Sequence, residues 1–147
     1  MPEILFRVIV DYGKSLEEMI AAGKYDYVDG NITKEHFPIK QKGKVELNMA
    51  LVCFNLDRRF HSDEAVIGLN KQKLRPATLS ELLAFGATIC TEKHEELSVV
   101  ALGSSWDFPY EDSGVPHFSN QYGKRYLTLP IEASAWDTNT LFLAVRE

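Results

Sequence analysis

Residues 45–56 constrain the fold more than any other segment of the sequence. From Val45 to Cys53 every second residue is apolar, which is the period of a β-strand with one face in a core. From Ala50 onward most of the intervening residues are apolar as well, as in strands that are buried on both faces. We therefore predict a long strand that runs from the edge of a sheet into the core.

Both ends of the chain carry strand signals as well. Residues 4–10 are rich in β-branched side chains, and residues 141–146 form a short apolar run, two features that strands favour. Further strands are predicted at 97–102 and 126–129. We expect the two terminal strands to pair with one another in one antiparallel sheet.

Three short helices are predicted in the first two-thirds of the chain. Ser15 with Glu18, and Thr78 with Glu81, have the spacing of a capping box, in which a hydroxyl and a carboxylate satisfy backbone N–H groups at a helix start. The predicted helices are 16–22, ended by Gly23; 63–73, capped by Ser62; and 79–85, stopped or weakened by Gly86.

The order of these elements indicates the fold class. Helices stand before residue 90, whereas the last third is strands joined by long loops at 103–125 and 130–139. This order is typical of α+β folds and not of alternating βαβ units. We predict a single globular domain of residues 1–147, with an antiparallel sheet, paired terminal strands, two or three short helices and long loops.

Charge and hydropathy exclude several classes of function. The net charge of −5 disfavours binding to a phosphate backbone, so we expect no nucleic-acid partner. The longest apolar stretches are far shorter than the roughly 20 residues of a membrane span, so we expect no membrane partner. The first residues lack the basic segment of a signal peptide, and two cysteines are too few for a disulfide scaffold. A cytoplasmic location follows as the expectation.

A zinc site is one alternative. Cys53, His61, Cys90 and His94 are potential ligands, and Cys90 and His94 are one helical turn apart. The paired CxxC spacing of structural zinc sites is absent, and a cysteine in a core strand behaves as a small apolar residue. We therefore expect no cofactor, with zinc at these residues as the alternative.

Other chemical motifs are weak. Ser104 and Ser105 lie in a GSSW turn that lacks the GxSxG pattern of hydrolases, and no phosphate-binding glycine loop is present in the sequence. Carboxylates gather at Asp107, Glu111 and Asp112, with Asp137 further on. They are candidates for calcium binding or glycoside chemistry, although a solvated acidic loop is the plainer interpretation.

Aromatic residues concentrate in the last third. Seven of the 16 aromatic side chains fall between residues 106 and 136, in segments that read as loops. Aromatics on loops that a sheet supports commonly form binding surfaces, although long loops also need a small core of their own. The predicted ligand-binding residues are Trp106, Asp107, Tyr110, Asp112, Phe118, Asn120, Tyr122, Arg125 and Trp136.

Three segments resemble the formylglycine-generating-enzyme-like branch of the C-type lectin fold. Residues 74–82 (LRPATLSEL) resemble its RLPTEAEW segment, residues 99–106 (VVALGSSW) its RGGSW turn, and residues 141–146 (LFLAVR) its closing GFR strand. The chain is also similar to uncharacterised bacterial proteins with RPATLxELL, VALGSxW and FLAVR segments. The late catalytic cysteines of the generating enzymes have no counterpart after Cys90. The resemblance therefore implies a loop-displaying scaffold, used by variable ligand-binding proteins of bacteria and phages, and no oxidase activity.

Together these observations favour a non-enzymatic domain that binds a protein or another macromolecular ligand through its aromatic loops. One alternative is a small zinc-dependent enzyme or a metal-stabilised protein that uses Cys90 and His94. Another is a structural subunit whose aromatic loops form an assembly interface, which makes the chain a homo-oligomer.

Overall fold

The computed structural model describes residues 5–54, 56–92, 96–109, 112–131 and 135–147. The described residues form three helices and a large, curled, mostly antiparallel sheet, so the predicted α+β class is confirmed. The helices are α1 (Leu16–Ala22), α2 (Ser62–Lys71) and α3 (Leu79–Thr88). None of these helices is long and apolar enough to span a membrane. The strands are β1 (Phe6–Asp11), β2 (Tyr27–Val28), β3 (Lys44–Cys53), β4 (Leu74–Pro76), β5 (Leu97–Val100), β6 (Trp106–Asp107), β7 (Ser113–Gly114), β8 (His117–Gln121), β9 (Lys124–Thr128) and β10 (Leu141–Arg146).

Strands β1 and β10, the first and the last along the chain, lie on either side of β3 in the sheet. Its order is β1, β3, β10, β5, β8, β9, β2, with β4 also paired to β10, and β6 and β7 form a separate pair. Both β1 and β10 run antiparallel to β3. The terminal strands thus share one sheet but do not pair with one another. That detail of the prediction is wrong, because the long β3 has a hydrogen-bonding edge on each side and lies between them.

Strand β10 occupies the middle of the sheet, which explains its apolar sequence. Leu143 and Val145 face the core beneath α1 and α3, whereas Phe142 and Ala144 face the smaller cores beneath α2. β5 pairs with the first half of β10 and β4 with the second half. A strand that is buried on both faces needs apolar side chains at every position, so the alternating pattern is lost.

Helix α1 begins and ends where the sequence predicts. Ser15 Oγ accepts a hydrogen bond from Glu18 N at 3.1 Å, and Glu18 Oε1 accepts one from Ser15 N at 3.0 Å. Gly23 is the C-terminal cap. The capping box and the glycine stop are both confirmed.

Helix α2 begins one residue and ends two residues before its predicted bounds, and α3 ends three residues after its predicted end. His61, not Ser62, is the N-cap of α2, because Ser62 Oγ instead accepts a hydrogen bond from Trp136 Nε1 at 2.8 Å. Helix α3 continues through Gly86 to Thr88, so this glycine does not stop it. A Cβ on Gly86 would stand 3.0 Å from the Tyr25 hydroxyl, and the missing side chain therefore provides room for that ring.

The predicted loop 103–125 contains a β-hairpin. β8 and β9 pair antiparallel through a turn at Tyr122 and Gly123, whose φ angles are 54° and 75°. Two positive φ angles are typical of the type I′ turn that joins adjacent strands. Asn120 and Arg125 obscured the strand pattern, since these polar residues face the interior and bond to one another there.

Candidate functional site

Four of the predicted ligand-binding residues lie inside the protein. Phe118 and Asn120 are fully buried, and Arg125 and Trp136 are nearly so. Trp136 packs edge-on against Phe142 at a centroid distance of 6.0 Å. The expectation that these side chains belong to a surface is wrong, because β8 and β9 are strands of the sheet whose side chains face its interior, and Trp136 packs in the core beneath α2.

The remaining predicted residues that the structure describes differ in their exposure. Tyr122 is 89% exposed at the turn of the hairpin, whereas Trp106 is half-buried against other rings. Asp107 and Asp112 are exposed, and the Asp107 carboxylate accepts a hydrogen bond from Ser113 Oγ at 2.6 Å. Tyr110 and Glu111 lie outside the described residues.

The candidate metal ligands lie on different elements. Cys53 Sγ donates to Thr138 O at 3.0 Å, His61 caps α2, and Cys90 packs against the core beneath α3. His94 lies outside the described residues. Among those described, no three His, Cys, Asp or Glu side chains are placed to hold a metal ion together. The zinc and calcium alternatives stay predictions.

A serine and a histidine meet on β5 and β8, where a catalytic pair is conceivable. Ser98 Oγ hydrogen-bonds to His117 Nε2, and His117 Nδ1 lies 3.1 Å from Thr128 Oγ1 instead of a carboxylate. Burial lowers the pKa of His117 to about 4, whereas an efficient general base has a pKa near the working pH. We assign these side-chain hydrogen bonds a structural role, in which they link β5, β8 and β9.

A cavity of about 290 Å³ opens at the start of α3. Its lining comes from the connection at 36–41, the first residues of the helix at 78–80 and the turn at 103–105. We call it the α3 pocket. Three segments far apart in sequence therefore build one concave site.

Gly103 brings the turn against the helix. Its N–H donates to Ala77 O at 2.8 Å, and a Cβ at this position would stand 2.6 Å from Ala77 O and 2.7 Å from Pro76 O. The close approach places Ser104 Oγ 2.8 Å from Leu79 N, from which it accepts a hydrogen bond. The RPATL and GSSW segments thus form one structural unit, and the turn satisfies the first amide of α3.

Aromatic contacts hold His36 in the pocket wall. His36 Nδ1 lies 2.7 Å from Asn31 O, and because a carbonyl oxygen only accepts, Nδ1 carries the proton. The ring stacks on Trp106 at a centroid distance of 3.9 Å, and Trp106 meets Phe108 edge-on at 4.8 Å. The hydrogen bond to Asn31 fixes the orientation of the ring and uses Nδ1, so Nε2 is the ring nitrogen that it does not use.

Two hydroxyl groups in the pocket lining have no partner. Ser80 is only 8% exposed and its Oγ makes no hydrogen bond to a described residue. Thr78 Oγ1 is also buried without a partner. Lys40 and Gln41 are exposed residues of the same lining. Since buried polar groups are nearly always hydrogen-bonded, the lining has unused capacity for a polar molecule.

The carboxylate of Glu81 at the start of α3 is already neutralised. Burial raises its pKa, but hydrogen bonds from Arg75, Thr78 N and the Tyr12 hydroxyl outweigh burial, so the pKa of Glu81 lies below its usual value. Burial raises the pKa of Tyr12 to about 12, so its hydroxyl keeps the proton that it donates. Glu81 is therefore charged and paired with Arg75, and the positive end of the helix is left facing the pocket.

Comparisons of the chain with known protein families, with curated proteins and with solved structures found no match. The argument for a site at the α3 pocket therefore relies on the geometry of its lining residues. The sequence did not indicate His36, Lys40 or Ser80, because they come together only when three distant segments fold. The one usable signal was the GSSW turn, whose glycine and serine position the helix start.

Proposed function

We propose that the chain is a binding protein that holds a small, hydroxyl-bearing oxyanion in the α3 pocket. The observation that carries this proposal is the hydroxyl of Ser80, a residue of the pocket lining that is 8% exposed and whose hydroxyl has no hydrogen-bond partner among the described residues. A ligand oxygen there gives this hydroxyl a hydrogen-bond partner.

The charges around the pocket favour an anion. The lining includes Lys40 and the first residues of α3, where the positive end of the helix dipole lies. His36, with its proton on Nδ1, has Nε2 as an acceptor for a hydroxyl of the ligand. The nearest buried carboxylate, Glu81, is held by Arg75 and so does not repel an anion as an unpaired charge would.

The size and polarity of the pocket suggest the ligand class. A volume of about 290 Å³ is at the lower end of the range for small-molecule sites. The hydroxyls of Thr78, Ser80, Ser104 and Ser105 and the amide of Gln41 are suited to a polyol. A phosphorylated or carboxylated polyol therefore fits best.

The finer expectations from the sequence remain proposals beside this one. They are the C-type-lectin-like relationship, a macromolecular ligand, assembly through the aromatic loops, and a cytoplasmic location in bacteria or phages. Among the described residues, Tyr122 is the predicted aromatic with the most surface available to a large partner. The α3 pocket does not depend on any of them.

Titration calorimetry with glycerol 3-phosphate tests the proposed function. We expect saturable binding at one site per chain, and weaker binding of glycerol, which lacks the charge. Ser80→Ala is expected to weaken binding about tenfold, because a hydrogen bond to a charged group contributes about 1.5 kcal/mol or more. Alanine suits a helix, so this variant keeps the fold.

A matched pair of lysines provides the control. Lys40 belongs to the pocket lining, whereas Lys42 is exposed and does not. Lys40→Ala should weaken the binding of glycerol 3-phosphate, and Lys42→Ala should not. Absence of saturable binding, or equal losses in the two lysine variants, would refute the proposal.

A further inference from the structure

Strand β1 has an open hydrogen-bonding edge. It stands first in the strand order of the sheet, and within the described part of the chain it pairs with β3 alone. Tyr12 N donates to Gly43 O at 2.9 Å, and this pair continues the register of β1 on β3. Hydrogen-bonded and non-hydrogen-bonded pairs alternate along an antiparallel ladder. The N–H and C=O groups of Arg7, Ile9 and Asp11 therefore point away from β3.

The side chains of these three residues lie together on one face of the sheet, because they alternate with buried valines of the core. Ile9 is 59% exposed. Arg7 is exposed and forms no ion pair with a described residue. Asp11 Oδ1 accepts a hydrogen bond from Gly13 N at 3.0 Å, which uses one of its two carboxylate oxygens. An exposed strand edge with an apolar centre is a template for pairing with another chain.

A mostly apolar cavity of about 210 Å³ opens along the same edge. Its lining comes from β1, α1, α3 and the connection between β1 and α1, and includes Ile9, Met19, Leu83 and Ala84. No residue of β3 belongs to the lining described, so the cavity lies beside the edge of β1 and not over the face of the sheet. A strand added to β1 lies next to this surface, and the burial of apolar area favours its addition.

We propose that two copies of this chain pair edge to edge through β1, antiparallel about a two-fold axis at Ile9. In this register Ile9 exchanges both of its backbone hydrogen bonds with Ile9 of the partner subunit. Arg7 lies opposite Asp11 of the partner subunit, and the symmetry makes this contact twice. The two sheets join into one continuous sheet, and the open edge is removed.

The side chains favour a second copy in this register above other two-fold pairings of the strand. An axis at Arg7 or at Asp11 puts like charges directly opposite one another, which is destabilising. An axis at Val8 or Val10 puts a charged side chain opposite Ile9. The axis at Ile9 places opposite charges together and apolar side chains together, so β1 is complementary to itself.

This interface differs from both binding surfaces discussed above. Residues 7, 9 and 11 do not belong to the lining of the α3 pocket. Strand β1 stands at one end of the sheet, whereas β8 and β9 lie near the other end. Assembly through β1 is therefore separate from assembly through the aromatic loops of the last third of the chain.

Sedimentation velocity of the full chain over a range of concentrations tests the proposal. We expect the mass of two chains at high concentration and of one chain on dilution. Arg7→Asp puts two carboxylates opposite one another at both ends of the interface and should weaken dimerisation about tenfold or more. Lys124→Asp makes the same charge change at an exposed position of β9 and should leave dimerisation unchanged. A monomer at every concentration, or equal effects of the two variants, would overturn the proposal.

A charge exchange tests the register. Asp11→Arg alone should also weaken dimerisation, because it places two cations opposite one another. An equimolar mixture of the Arg7→Asp and Asp11→Arg chains restores opposite charges across the interface and should dimerise more tightly than either variant alone. A mixture that is no tighter would refute the register. Asp11→Arg removes the hydrogen bond to Gly13 N, so the comparison of Arg7→Asp with Lys124→Asp decides if this variant does not fold.

Amide hydrogen exchange locates the interface on the chain. The amides of Arg7, Ile9 and Asp11 should exchange more slowly in the dimer than in the diluted monomer, because each then donates to the partner subunit. A dimer in which these amides exchange as fast as in the monomer would show that the copies associate through another surface.

Discussion

Arg75 and Glu81 form an ion pair with two parallel hydrogen bonds. Arg75 Nη1 donates to Oε1 at 2.9 Å and Nη2 donates to Oε2 at 2.8 Å. The Glu81 side chain is 1% exposed and that of Arg75 is 33% exposed. The pair ties β4 to the first turn of α3, and so it supports the helix start that faces the α3 pocket.

We expect Arg75→Ala to lower the free energy of unfolding by about 3 kcal/mol, because it leaves the Glu81 carboxylate buried without its cation. Urea denaturation measures the loss. Arg58→Ala is the control, since Arg58 pairs with Glu64 at 2.6 Å at the protein surface, where ion pairs contribute little. Equal losses in the two variants would contradict the importance of the buried pair.

Trp136 belongs to the core beneath α2, and its removal should be costly. We expect Trp136→Ala to lower the free energy of unfolding by about 3–5 kcal/mol, through a cavity and the lost hydrogen bond to Ser62. Tyr122→Ala serves as the control, because Tyr122 is 89% exposed and should change stability little. A near-neutral Trp136→Ala in chemical denaturation would show that the ring does not contribute to the core.

Much of the fold could be predicted because local physical chemistry determines it. The capping box of Ser15 and Glu18 fixes the start of α1, and the alternation in β3 fixes a strand. The hairpin at 117–128 was missed in part, because its interior positions hold Asn120 and Arg125, which look like surface residues in a sequence. Their burial depends on carbonyls of α1 and α3, which only tertiary structure brings near.

The candidate sites could not be predicted from the sequence for the same reason. The aromatic residues of the last third were visible, but whether Phe118 or Trp136 is displayed or buried depends on how the hairpin and the last loop pack. The α3 pocket draws on Lys40, Ser80 and Ser104, which are common residue types with no motif. The sequence indicated a turn at Gly103. The turn needs a glycine there because the backbone approaches Ala77 closely, and that tertiary contact is not visible in the sequence.

Gly103 should not tolerate a side chain. We expect Gly103→Ala to lower the free energy of unfolding by about 1–3 kcal/mol, since the Cβ would press on the backbone oxygens of Pro76 and Ala77. It should also weaken the binding of glycerol 3-phosphate by displacing Ser104. Gly30→Ala is the matched control, because a Cβ at Gly30 meets nothing within 4 Å. Indistinguishable variants in denaturation and calorimetry would contradict the close contact.

The stability of the protein should depend on pH through His117. Burial lowers the pKa of His117 to about 4 in the folded chain, whereas an unfolded histidine has a pKa near 6.5. Between these values the unfolded state binds more protons than the folded state, so the free energy of unfolding increases with pH across this window. His117 thus contributes stability above about pH 6.5 that is lost as the pH falls toward 4.

Urea denaturation at pH 5 and pH 7 measures this dependence. We expect the chain to be about 2 kcal/mol less stable at pH 5 on account of His117 alone. His117→Gln destabilises at both pH values but should remove most of the difference between them, because glutamine does not titrate. His61→Gln alters an exposed histidine and should keep the full difference. An unchanged difference in His117→Gln would show that the folded state accepts the proton on His117 as readily as the unfolded state does.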